Sequence, residues 1–180
     1  MIIKNIRQIG DPLLRLKAKK VEKINSKETK RVIKDLTDTL RHADLVGMAA
    51  PQIGASVRIF ITEIRKTKYR KDVKDLDSLR VFINPEIVEF SKQTVVGYEG
   101  CGSVAGGQIF GKVRRSKKVR VRAYNEKGEK FELETGGLLA IVIQHEYDHL
   151  NGIEFTDKLT SVKTLISTSE YRKLTAGKNK

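Results

Sequence analysis

The sequence predicts an α+β fold in which mainly antiparallel sheets pack around a central buried helix that carries an H-E-x-x-H motif. Three observations predict it. Residues 57–62, 79–90, 117–125 and 130–134 read as strands. Residues 137–150 read as a helix that is apolar nearly all round in its first half, which is the pattern of a buried helix. The strands come first and this helix afterwards, the order of an α+β chain.

The elements follow in order. Residues 25–43 form the first long helix, because Asn25 and Glu28 make a capping box and Val32, Ile33, Leu36 and Leu40 share one face. His42, at its end beside Arg41 and Asp44, reads as a surface residue. A Gly- and Ala-rich turn occupies 47–54, and 66–78 (KTKYRKDVKDLDS) reads as an exposed loop. Lys127 and Gly128 turn the chain between two strands, and Gly152 suits the C′ position that closes the second helix.

Composition sets the class. At 180 residues, 39% hydrophobic and 32% charged, the chain is long and apolar enough for one domain with a single core, which excludes a disordered protein. The longest apolar run is six residues, 138–143, too short to span a bilayer, and the opening residues carry no apolar stretch of signal-peptide length. One cysteine excludes an internal disulfide and suits a reducing compartment, so a cytoplasmic location is expected. The net charge of +14 attracts polyanions. The basic run 112–122 (KVRRSKKVRVR) nevertheless reads as a solvated strand face, with Val119 and Val121 on one side and Lys118, Arg120 and Arg122 on the other. It has no interleaved aromatic residues on which bases would stack, so no sequence-specific nucleic-acid reader is expected.

Chemistry concentrates in three motifs. In Gln144-His145-Glu146-Tyr147-Asp148-His149 the histidines at i and i+4 share one helical face, so both can reach one metal ion while Glu146 points to its open position. A third ligand is needed. Cys101, among small residues in Glu99-Gly100-Cys101-Gly102-Ser103, is the better candidate; Glu154, Asp157 and Glu170 are the carboxylates downstream. In Gly47-Met48-Ala49-Ala50-Pro51-Gln52-Ile53-Gly54 the small residues let a backbone run close to a ligand, and Gln52 can offer an amide N–H to an oxyanion.

VGMAAPQIG at 46–54, EGCGS at 99–103 and QHEYDHLNG at 144–152, with GDPLLR at 10–15, resemble the peptide deformylases over residues 6–160. The resemblance implies a deformylase-like catalytic domain over 1–160, followed by a basic helix or tail over 161–180. It implies one divalent metal ion, Fe2+ natively with Zn2+, Ni2+ or Co2+ as substitutes, held by Cys101, His145 and His149; donor softness alone would point to zinc. It implies Glu146 as general acid/base, Gln52 and the Gly102 backbone N–H as oxyanion donors, and Gly47 along the substrate. Val46, Ile141 and Val142 would line a methionine pocket. The implied substrates are formyl-methionyl nascent peptides, which brings the ribosome surface into reach of the basic C-terminus. Two other readings stand beside it: a zincin-type protease using a carboxylate such as Glu154, and a catalytically impaired relative that binds RNA. The chain departs from the family pattern at Leu45 and Gly102, where Gly and Leu are usual, and at Ala105 in place of Pro. Leu45 is expected to strain a position needing positive φ or to narrow the cleft.

Overall fold

A computed structural model describes residues 2–67, 73 and 75–176. In chain order these form α1 (Lys27–His42), β1 (Gly47–Ala49), β2 (Ile59–Ile64), β3 (Asp77–Phe90), β4 (Thr94–Gly100), β5 (Ile109–Ser116), β6 (Lys118–Tyr124), β7 (Lys130–Gly136), α2 (Gly137–His149), β8 (Ile166–Ser167) and α3 (Thr168–Ala176). One sheet has the order β1-β2-β3-β6-β7 and the other β4-β5-β8, and every pairing within them is antiparallel. Over the described residues the fold is therefore α+β, with antiparallel sheets and three α-helices.

The apolar residues of α2 explain its place. Ala140 and Ile143 are fully buried in a cluster with Phe60, Phe82, Val119 and Val121, and the two phenylalanine rings stack 4.5 Å apart. Burying a side chain of this size is worth roughly 1.5–3 kcal/mol. The polar residue Gln144 is buried as well, and it is satisfied by the sheet: its Oε1 accepts the Ser116 N–H and its Nε2 donates to the Ser116 carbonyl, both at 3.0 Å. A second cluster holds α1 through Leu36 and Leu40 against Ile59, Ile61, Val81 and Ile83.

The N-cap of the first helix falls one residue later than its sequence suggests. Ser26, not Asn25, is the N-cap, and its Oγ accepts the Thr29 N–H at 3.1 Å in place of a box closed by Glu28. A serine oxygen one position nearer the helix reaches the first free N–H groups directly. The apolar face of α1 and the exposure of His42 agree with expectation. Gly152 has φ +73°, but it lies two residues beyond the helix cap Leu150.

Strands β4 and β5 go unread from sequence. Each has a glycine in its interior, Gly97 and Gly111, which interrupts the apolar signal. The basic run is not one solvated face: it spans the end of β5 and most of β6, and Arg115, in phase with buried Val113, is only 4% exposed. The expected loop at 66–78 lies partly outside the described residues, and its last two residues, Asp77 and Ser78, already belong to β3. Among the described residues no helix is long and apolar enough to cross a membrane.

Candidate active site

The helical spacing of His145 and His149 places their ring centroids 5.0 Å apart. Cys101 follows directly on the end of β4, and its Sγ lies 3.3 Å from His149 Nε2. One ligand atom from each of Cys101, His145 and His149 lies within 4.8 Å of the others, so the three can converge on one ion. A thiolate with two imidazoles is a donor set suited to a divalent transition metal with a position left open.

His145 is aimed from behind. Its Nδ1 meets Glu99 Oε2 at 2.8 Å, and Glu99 is held by both arms of the Arg115 guanidinium at 2.8 and 2.9 Å. Arg115 also donates to Asp148, whose other oxygen accepts from Lys158 Nζ at 2.8 Å. Burial raises the Glu99 carboxyl, but Arg115 and His145 more than reverse this and hold it at about 2. Breaking one member of such a buried group costs about 3–5 kcal/mol.

Burial and the neighbouring charges set the protonation of these groups. Burial pushes the Cys101 thiol up, yet the neighbouring His149 and His145 bring it down to about 6. Burial pushes His145 down, and hydrogen bonds to Cys101 and Glu99 lift it to about 10. His149 is opposed by burial in the same way and raised well above its usual range by Cys101 and Glu154. Glu146 is raised to about 7 by burial, with the two histidines pulling against that rise.

The remaining predicted residues gather around this centre. A cavity of about 70 Å³ is lined by Val46, Gly47, Gln52, Cys101, Gly102, Ile141, Val142, His145 and Glu146; His149 is outside the lining and 1% exposed. Gln52 is oriented by the Ala49 N–H, which donates to its Oε1 at 2.8 Å, so its Nε2 turns toward Ser103 Oγ at 3.1 Å and Cys101 Sγ at 3.4 Å. Glu146 Oε2 is buried with no hydrogen-bond partner among the described residues.

The departures from the family pattern acquire physical meaning here. Leu45 does not have positive φ; that conformation falls on Asp44, at +55°, so the expected strain at Leu45 is absent. Leu45 does line the cavity, and a Cβ at Gly102 would come within 3.2 Å of both its Cδ1 and that of Ile6. The space beside Gly102 is thus already filled by Leu45 and Ile6. Ala105 has φ +48°, which a proline ring fixed near −65° cannot adopt.

Sequence reasoning passed over Glu99 and Arg115, and for Arg115 a signal was present in its parity with Val113. The rival ligand Glu154 is fully buried on the Nδ1 side of His149, at 3.6 Å, and is not part of the converging set. Gly47 has a strict role: a Cβ there would run into Glu146 Oε1 and stand 2.6 Å from Val142 Cγ1. Gly47→Ala is expected to lower stability by about 1–3 kcal/mol in urea unfolding; an unchanged midpoint and slope would contradict the close approach.

Comparison with known proteins gives a consistent picture. A family model described as polypeptide deformylase matches residues 3–165. The peptide deformylase of Clostridium botulinum is 45% identical over 160 residues, covering 89% of this chain and 99% of that one. That of Pseudothermotoga lettingae is 44% identical over 160 residues, covering 89% and 85%. Among solved structures, a Met-Ala-Ser-bound class I type b peptide deformylase from Acinetobacter baumannii superposes with a TM-score of 0.82 at 32% identity, covering 88% of this chain and 99% of that chain. The Thermotoga maritima peptide deformylase superposes with a TM-score of 0.78 at 38% identity, covering 89% and 100%. A family-model match over residues 3–165, with a fold match covering 89% of the chain, makes this chain a member of the polypeptide deformylase family.

Proposed function

We propose that this chain is a metal-dependent hydrolase that removes the formyl group from the N-terminal formyl-methionine of nascent polypeptides, as part of N-terminal methionine processing in protein biosynthesis. The observation that carries this reading is the convergence of Cys101, His145 and His149 beside a buried Glu146 carboxylate whose Oε2 has no hydrogen-bond partner among the described residues. In this reading α2 is the central helix of the active site and its H-E-x-x-H motif supplies two ligands and the acid/base. The native ion is Fe2+, with Zn2+, Ni2+ and Co2+ able to replace it at the same three residues.

A divalent ion in this position supplies Lewis acidity, which polarises the formyl oxygen and makes water acidic enough to serve as a nucleophile near neutral pH. Glu146 takes a proton from the attacking water and delivers it to the departing amine. Gln52 Nε2 and the Gly102 N–H donate to the oxyanion that develops on the formyl oxygen as water attacks the formyl carbon. Gln52 is suited to this because the Ala49 N–H fixes which end of its amide faces the cavity. Val46, Ile141 and Val142 line the pocket for the methionine side chain, and Gly47 lies along the substrate, its missing Cβ letting β1 pass close to Glu146. The catalytic domain is taken as 1–160, in a cytoplasmic protein.

The test is formate release from a formyl-Met-Ala-Ser peptide by protein loaded anaerobically with Fe2+, beside a Glu146→Ala control that keeps all three ligands. Release by the parent and a loss of roughly 10²-fold or more in the control are expected. No release by metal-loaded parent would overturn the reading.

Residues 161–180 are proposed to reach the ribosome surface through their basic side chains. Within this segment Tyr171 of α3 stacks on Phe110 of β5, with ring centroids 4.2 Å apart, so the helix is fixed to the catalytic body. Removing residues 175–180 leaves that stack in place and is expected to weaken co-sedimentation with ribosomes at low salt. Unchanged co-sedimentation would remove the proposal.

A further inference from the structure

Three buried glutamates stand near the candidate metal ligands. Glu146 serves as acid/base and Glu99 supports His145, but Glu154 has no part in the chemistry described so far. It is 0% exposed, and among the described residues neither of its carboxylate oxygens has a hydrogen-bond partner. Burying a carboxylate without a partner costs several kcal/mol, so a protein retains one only where something compensates.

The compensating group is His149. Its Nδ1 lies 3.6 Å from Glu154 Oε1, and this nitrogen also has no hydrogen-bond partner among the described residues. Its Nε2 is turned the other way, 3.3 Å from Cys101 Sγ. The imidazole therefore stands between the thiol and the carboxylate. The backbone holds the carboxylate in place: Gly152, at φ +73°, reverses the chain after α2, and the Glu154 N–H donates to Asp157 Oδ2 at 2.9 Å at the start of a short turn, Phe155–Lys158. Asp157 is itself paired with Arg15.

We propose that Glu154 is the positioning residue for His149: its carboxylate accepts a hydrogen bond from Nδ1–H, fixes the tautomer that leaves the Nε2 lone pair for the ion, and holds the ring toward Cys101. This rests on the reading of Cys101, His145 and His149 as ligands. It gives each histidine its own buried carboxylate, Glu99 for His145 and Glu154 for His149. The two differ in charge balance. Glu99 shares its charge with Arg115, whereas the ion pair formed by Glu154 is with His149. The charge of Glu154 therefore acts on the imidazole, raising its basicity as a ligand.

Zinc affinity of the full chain, measured by competition with a chromophoric chelator, tests this with Glu154→Gln and Glu154→Leu. The visible spectrum of the Co2+-loaded proteins is the second readout. Glu154→Leu removes the acceptor and is expected to weaken zinc binding roughly 10–100-fold and to shift the Co2+ bands. Glu154→Gln keeps a neutral acceptor and should fall between the two, a graded rescue that a purely structural role would not produce. If the leucine variant does not fold, the glutamine variant alone must still bind zinc more weakly than the parent. Affinities and spectra indistinguishable from the parent's in folded variants would overturn the role of Glu154 and leave the three ligands standing. A parent that fails to bind zinc would overturn the ligand reading itself.

Discussion

Arg115 is buried together with the two carboxylates it serves, Glu99 on β4 and Asp148 on α2. The guanidinium comes from β5, so one side chain joins the three-stranded sheet to the helix that packs on the five-stranded one. The same pairing steadies Glu99, and through Glu99 it steadies His145. The site depends on this arrangement because two carboxylates and an imidazole could not share so dry a space without a permanent cation. A guanidinium suits the task better than an ammonium, since its planar fork meets Glu99 in a bidentate pair and still has a donor for Asp148.

Around that fixed point the chain makes room with small residues and closes it with large ones. Gly47 lets β1 pass against Glu146 and Val142. The departure at Gly102 has its counterpart in Leu45 and Ile6, which occupy the space a side chain there would take. The cavity is thus shaped by contacts between segments far apart in sequence. Its electrostatics are equally collective: Cys101, His145 and His149 shift one another toward charged forms that burial alone would disfavour. Binding an ion to such a set must release protons, which couples ion affinity to pH.

How much of this was legible depended on whether the signal was local. The i, i+4 spacing of His145 and His149, the apolar first half of α2 and the face of α1 all repeat over short stretches, and each was readable in the sequence. The convergence of Cys101 and Gln52 on the same cavity needed the motif set as a whole. β4 and β5 escaped because Gly97 and Gly111 break their alternation, and Arg115 escaped because a basic run looks solvated unless its parity with Val113 is followed. The start of α1 was missed by one residue, since Asn25 and Ser26 are both good caps. Glu154 was noticed as a rival ligand, yet which side of His149 it occupies depends on the reversal at Gly152.

The most direct test of the account is the coordination shell itself, read by X-ray absorption on the zinc-loaded full chain. The account predicts one sulfur at about 2.3 Å and two imidazole nitrogens at about 2.0–2.1 Å. A shell without sulfur, or one completed by a protein carboxylate in place of Cys101, would contradict it.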